Sequence, residues 1–291
     1  MDLEQLQAFL TVARTKNFTR AAEELHVVQS TITARIKMLE QSVGKALFKR
    51  QTRHVDLTLA GELFLPFVEQ ALELMRDGVA SARLQPDFKN RLVIGGLNSI
   101  WDSSLFSALQ QFHQQHREIA IRVITDHSDR VIARVQNGTV DLGLVYLPPT
   151  ASAIAVMPIK EESLRLVGTP NLVATIGSPS LRELFQYPFI HYNWGPPFEE
   201  WFAREVGSHN AAGFRIDHTG AFVRLLLQGE GVGFLLSSIA DEYIEKGRLQ
   251  DVAIKMANQV PKRTIYLIFK EKNRQLEKIK SFLDDFLTSL K

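Results

Sequence analysis

The 291-residue chain is 45% hydrophobic and 23% charged, enough to build more than one packed core and too apolar for long disorder. It has no cysteine, which excludes disulfides, thiolate metal sites and thiol catalysis and fits a reducing cytoplasm. Its net charge of +2 neither demands nor excludes a polyanionic partner, so the distribution of charge has to be read along the chain.

The opening residues, MDLEQLQAFL, carry acids and no apolar signal core, and no run approaches the ~18 apolar residues of a membrane span. Leu3, Leu6, Phe9, Leu10 and Ala13 recur at helical spacing. A second short helix is predicted over Thr19–Leu25 with Thr19 as its N-cap, and a third over Gln29–Gln41, ended by Gly44. Val55 and Leu57 alternate with Asp56 and Thr58 in LFKRQTRHVDLTL, the pattern of a short two-stranded wing. From Thr58 to Leu84 one long helix is predicted, with Leu63, Phe67, Ala71, Leu74, Met75 and Val79 in a near-heptad stripe. Pro66 should bend it or mark an early turn, and Gln85-Pro86-Asp87 should stop it.

Beyond this point the pattern changes. The strand RLVIGGL, a helix over Ser103–His116, the strand AIRVIT, a helix over Asp129–Asn137 ending at Gly138, and the strand DLGLVYLP alternate as β-α-β-α-β. That order predicts a mostly parallel sheet covered by helices. A second α/β set runs from Leu164 to Val260, and the strand TIYLIFK and a helix over Gln275–Leu290 close the chain.

Residues 18–40 meet the needs of a helix–turn–helix, whose second helix must enter the ~12 Å major groove of DNA. Ile32, Ile36 and Leu39 share one face of the third helix, while Ser30, Thr33, Ala34 and Lys37 project from the other, with Gln29 in the first turn. Lys16, Arg20, Lys45, Lys49, Arg50 and Arg53 flank that face and suit phosphates. An ordinary three-helix subdomain with a solvated polar face is the alternative at this level.

The segment FTRAAEELHVVQSTITARIKMLEQSVGKALFKRQTRHVDLTLAG closely resembles the winged helix–turn–helix of the LysR-type transcriptional regulators. The resemblance extends along the chain and implies three parts: a winged helix–turn–helix over 1–58, a linker helix over 59–87, and an α/β effector domain over 88–291. The last would have two lobes like a periplasmic binding protein, lobe I about 88–160 with 266–291 and lobe II about 161–265. By the resemblance Gln29, Ser30 and Thr33 read bases, and Thr19, Arg20, Lys37, Arg50 and Arg53 contact the DNA backbone. Two positions depart from the family pattern. Ser30 stands where proline is common, and Ala34 stands where arginine is common, with Arg35 beside it. Arg35 points to the flank, towards a phosphate or an intramolecular partner.

The stripe on residues 59–84 fits either a helix packed on its own domain or a dimer seam, and ~26 residues at 1.5 Å each span ~39 Å, more than a small winged domain covers. A two-fold dimer would present two recognition helices to palindromic operator DNA, and the resemblance implies a dimer or homotetramer. RNA polymerase stands as a further candidate partner, and no membrane or cofactor is expected.

A cleft between two lobes is expected at the carboxyl ends of the strands. The resemblance places Asn98, Ser99, Thr125, His127, Asn193 and Phe222 near a small-molecule effector there, with Trp101, Tyr146 and Trp194 as walls. Asp102, Asp126 and Asp129 lie at the same edge, and no arginine falls in the pocket by sequence. A small carboxylate leads as effector class, followed by an aromatic or amphoteric metabolite.

Gly229-Glu230-Gly231-Val232-Gly233 lacks the Rossmann spacing and reads as a helix stop and tight turn. His113 and His116 make too few ligands for a metal and read as solvated surface, and no nucleophile elbow is present. The chain therefore reads as a ligand-responsive DNA-binding regulator rather than an enzyme. The alternative is a small-molecule binding protein or enzyme with an accessory N-terminal helical domain.

Overall fold

A computed structural model describes residues 1–50, 55–82, 90–207 and 213–288. It divides the chain into two units, Met1–Gln85 and Pro86–Lys291.

In the first unit, Asp2 and Gln5 form a reciprocal capping box at the start of α1 (Leu3–Thr15). Lys16, left-handed at φ 51°, turns the chain, and Asn17 caps α2 (Phe18–Glu24) by accepting from the Thr19 and Arg20 amides. The cap is thus Asn17, not Thr19 as expected, because Asn17 already has the extended backbone that a capping carboxamide needs. His26, with φ 54°, forms the turn into α3 (Gln29–Val43), which ends at Gly44. Ile32, Ile36 and Leu39 of α3 are fully buried against Phe9 and Val12 of α1 and Ala21 of α2.

β1 (Phe48–Arg50) pairs antiparallel with β2 (Val55–Leu57). Glu40 joins α3 to this wing, its carboxylate accepting from the Leu47 and Phe48 amides at 2.8 and 3.2 Å. The LTLAG run has a physical reason. The Thr58 hydroxyl donates to Ala46 O at 2.7 Å and accepts from the Gly61 amide at 3.1 Å, capping α4 (Leu59–Ala82). A Cβ at Gly61 would lie 2.2 Å from the Leu47 carbonyl oxygen, so only glycine permits this approach. The helix runs through Pro66 unbroken.

The second unit starts with β3 (Asn90–Gly96), α5 (Asn98–Trp101), α6 (Ser104–Gln115), β4 (Ile119–Thr125), α7 (Ser128–Asn137) and β5 (Leu142–Val145). β6 (Ile154–Glu162) leads through Ser163 alone into β7 (Leu164–Gly168). Then follow α8 (Pro170–Ile176), β8 (Ile190–Tyr192), α9 (Phe198–Val206), β9 (Phe214–Ile216), α10 (Thr219–Gln228), β10 (Gly233–Leu236), α11 (Ser237–Glu245), β11 (Gln250–Asp251), β12 (Arg263–Lys270) and α12 (Glu277–Ser281).

Lobe I is a five-stranded sheet ordered β4-β3-β5-β12-β6. β3 runs parallel to β4 and β5, but β12 is antiparallel to both of its neighbours, so the sheet is mixed rather than mostly parallel. The reason is topological, since β12 returns from the other lobe. One face packs on α6 and the C-terminal helix through Phe112, Phe282 and Phe286, the other on α7 through Val131 and Val135. The expected helix over Gln275–Leu290 is shorter, because a π-helical turn over Phe282–Phe286 follows α12. His116 is not solvated surface as expected, for its Nε2 lies 2.7 Å from Asp285 on that turn.

Lobe II holds the antiparallel sheet β10-β7-β11 and the parallel pair β8-β9 around an aromatic core that includes Phe189, Phe198, Phe202 and Phe234. Gly229, at φ 78°, stops α10, as the glycine run predicts. No helix among the described residues is long and apolar enough to cross a membrane.

Candidate functional site

The first candidate surface is the outer face of α3. Burial of Ile32, Ile36 and Leu39 fixes which way the helix faces, and Gln29, Ser30, Ala34 and Lys37 are exposed opposite them. Thr33 is half-buried, its hydroxyl donating to the Gln29 carbonyl at 3.1 Å, which leaves oxygen lone pairs available. Thr19 and Arg20 are exposed at the start of α2. Arg35 is turned away from this face and pairs with Glu4 of α1, the intramolecular alternative for that side chain. Lys16 lies 3.8 Å from Asp56 and its carbonyl accepts from the Val55 amide, so it anchors the wing. Lys45 is exposed just before the wing and Lys49 on its first strand, β1. Arg50 ends β1, and Arg53 lies outside the described residues.

α4 has two apolar faces. Val68 and Leu72 are buried against the winged domain, while Leu63, Phe67, Leu74, Met75 and Val79 are each about half to two-thirds exposed. The stripe does not pack on its own domain, and such a row in water marks a surface that needs a partner.

In the second unit a cavity of about 590 Å³ opens between the lobes. Ser99, His127, Tyr146, Asn193 and Trp194 line it, while Asn98 and Thr125 line an adjoining cavity of about 260 Å³ that also borders His127. Two expected residues are elsewhere. Trp101 packs over Gly96, where a Cβ would lie 2.5 Å from its ring, and belongs to the lobe I core. Phe222 is wholly buried in the lobe II core, against Gly233 and 5.4 Å from the Tyr192 ring. Trp101 ends α5 and Phe222 lies in the first turn of α10, and each ring turns into the hydrophobic interior over the glycine opposite.

The walls are held rigidly. Trp194 donates its indole N–H to the Phe234 carbonyl at 2.7 Å, and the Tyr192 and Thr219 hydroxyls are 3.0 Å apart. Asn193 accepts from the Gly195 amide at 2.9 Å, fixing the turn after β8. The Ser99 and Tyr146 oxygens lie 3.5 Å apart, both residues buried. Burial pushes the Tyr146 hydroxyl up to about 12, against the lowering influence of Arg263 and of Ser99. Tyr192 is raised for the same first reason.

The charges differ from the expected set. Asp126 borders the adjoining cavity, where Arg134 at 3.5 Å and Arg130 at 3.9 Å offset its charge. Asp129 and Asp217 do border the cavity. Arg263, which the sequence did not single out, lines the cavity while only 7% exposed. Its guanidinium lies 3.6 Å from the Tyr146 ring centroid and 5.7 Å from that of Trp194. Burial lowers its pKa, and the Tyr146, Tyr192 and Glu199 side chains oppose that shift. A basic residue opening a strand, beside Lys262, carries no sequence signal that separates a buried cation from a solvated one. Among the described residues no group of three or more His, Asp or Glu could hold a metal.

Comparison with known proteins follows the same division. Residues 3–62 match the family model "Bacterial regulatory helix-turn-helix protein, lysR family", and residues 86–291 match "LysR substrate binding domain". HTH-type transcriptional regulators HdfR of Yersinia pestis and Yersinia pseudotuberculosis are 29% identical over 247 residues, 84% of either chain. The crystal structure of CbnR, a LysR family transcriptional regulator, superposes with a TM-score of 0.74 at 23% identity over the full length of both chains. CbnR complexed with its target DNA gives 0.72 at 22% identity, also over both full chains. The Vibrio cholerae virulence activator AphB gives 0.62 at 21% identity over 99% of each. At these identities the structural likeness speaks for the fold.

Proposed function

The chain belongs to the LysR family of transcriptional regulators, and from that premise we propose that it binds palindromic operator DNA as a dimer or tetramer and alters DNA occupancy or conformation when a small-molecule effector fills the interlobe cleft. The family match covers both the DNA-binding and the effector-binding parts, which favours this reading over a binding protein or enzyme with an accessory helical domain. The parts are residues 1–58 for DNA, 59–87 for dimerisation and 88–291 for the effector, acting in the cytoplasm.

The observation that carries the reading is the two-sided α3. Its apolar side is locked into the domain, and its free side offers Gln29, Ser30, Thr33 and Lys37, groups that can meet base edges and phosphates. The exposed stripe of α4 supports the dimer, and solution of CbnR on its target DNA supports DNA as the partner of this fold.

Gel-shift titration of the full chain against genomic fragments tests it. The expected result is one or a few fragments bound far more tightly than random DNA, with affinity falling steeply as salt rises. Equal, weak binding to every fragment would remove the operator reading.

A further inference from the structure

We propose that Arg263 is the anchor for a singly charged carboxylate effector, held where the two lobes meet. This rests on reading the interlobe cleft as the effector site. Arg263 is the first residue of β12, the strand that returns from lobe II to lobe I. Its guanidinium is stacked over Tyr146, which follows β5 of lobe I, and approaches Trp194, which follows β8 of lobe II.

The guanidinium is buried, borders the cavity and has no hydrogen bond or ion pair among the described residues. Its Nε is buried with no acceptor. Glu162, its cross-strand partner in register, lies 2.8 Å from Lys160 instead. Glu199 accepts from the Trp194 amide and contacts His191. The aromatic rings stabilise the cation through their faces but offer no lone pair to its N–H groups. A buried cation in this position is satisfied by an acceptor brought from outside, and a carboxylate matches the parallel N–H groups of a guanidinium. Asp129 and Asp217 border the same cavity and outnumber Arg130, the other cation on its lining, which disfavours a second negative charge on the ligand. Because Arg263 touches a side chain of each lobe, pairing there acts directly on the angle between them.

Thermal unfolding of the full chain with acetate, with acetamide, and with chloride at equal ionic strength tests the assignment, since these probes fit any part of the cavity. Acetate should raise the melting temperature of the parent by about 2–4 °C once it exceeds its dissociation constant several-fold. Acetamide and chloride should leave it unchanged. Arg263→Gln should abolish the rise, Arg263→Lys should keep part of it, and Arg130→Gln should keep all of it. If Arg263→Gln fails to fold, the lysine variant and the three parent titrations still decide. No acetate-specific rise, or a rise retained in Arg263→Gln or lost in Arg130→Gln, overturns the proposal and leaves the gel-shift result standing. An acetate-specific, Arg263-dependent rise supports it. If no cleft ligand, bound through Arg263 or otherwise, then changes operator affinity, the effector reading fails while the anion site remains.

Discussion

The Tyr146 ring lies flat enough beneath Arg263 to bring its centroid to 3.6 Å from the guanidinium carbon, which joins the end of β5 to the start of β12 inside the cleft. The same burial that leaves Arg263 without an acceptor keeps Tyr146 protonated.

A pH dependence follows from that pair. The Tyr146 hydroxyl moves from 10.0 to about 12 in the folded chain, so between those values the unfolded state loses a proton that the folded state retains. Stability is therefore full below pH ~10 and falls as pH rises towards ~12, by at most about 3 kcal/mol from this group. Chemical denaturation of the parent and Tyr146→Phe at pH 9 and pH 11.5 should show the smaller loss in the variant. Equal losses would mean that Tyr146 titrates as an ordinary exposed tyrosine.

Gly233 is a packing requirement rather than part of a nucleotide loop. A Cβ there would lie 2.7 Å from the Ile190 carbonyl oxygen and 2.7 Å from the Phe222 ring. The carbonyl belongs to β8 and cannot move without displacing the turn that holds Asn193 and Trp194. Gly233→Ala should cost about 1–3 kcal/mol, the range for overpacking. Differential scanning calorimetry should show this as a lower melting temperature, and an unchanged value would show that β8 yields easily.

Much of the molecule was legible because burial follows period. The stripes of α1, α3 and α4, the runs VIGG and LGLV, and glycine stops at Gly44, Gly138 and Gly229 each leave a local signal. What failed to show needed the third dimension. The reversed direction of β12 is set by a crossing between lobes, and α5 is only four residues long. Phe222 in the first turn of α10 and Trp101 close after β3 stand where pocket walls would, yet Gly233 and Gly96 open space for them in the cores. Arg263 became visible only when folding brought Tyr146 and Trp194 from distant segments onto its guanidinium.

On DNA, Gln29→Ala should lower affinity for the operator and leave random DNA nearly unaffected, because a bidentate base contact is worth ~1–3 kcal/mol. Lys37→Ala should weaken both and flatten the salt dependence, as expected of a phosphate contact. Competition gel shifts at two salt concentrations separate these effects. Equal loss on both DNAs for Gln29→Ala would move Gln29 to the backbone-contacting set.

Met75→Asp tests the free face of α4. Met75 is half exposed in the single chain, so the substitution should leave the monomer fold intact. In a seam it would bury a charge without a partner, which strongly disfavours association. Sedimentation should show loss of the dimer, and operator affinity should fall through lost bivalency with monomeric base contacts retained. A Met75→Asp chain that stays dimeric would place the seam on another face.

Ser99→Ala asks what a hydroxyl at the head of α5 does. It does not cap the helix: the N-cap is Leu97, no side-chain cap bond is present there, and Ser103 caps α6. The Ser99 hydroxyl lies 3.5 Å from the Tyr146 oxygen, a long contact of little energy, while the residue is 2% exposed and borders the cavity. Removing it should therefore change the melting temperature of the ligand-free chain little. A ligand whose polar group docks beside Arg263 would lose one net hydrogen bond, about 1 kcal/mol, or roughly fivefold in affinity. Isothermal titration of parent and variant with a cleft ligand reads the difference directly. Equal affinities would show that the ligand reaches Arg263 without meeting Ser99. A large drop in ligand-free stability would make the Ser99–Tyr146 contact structural.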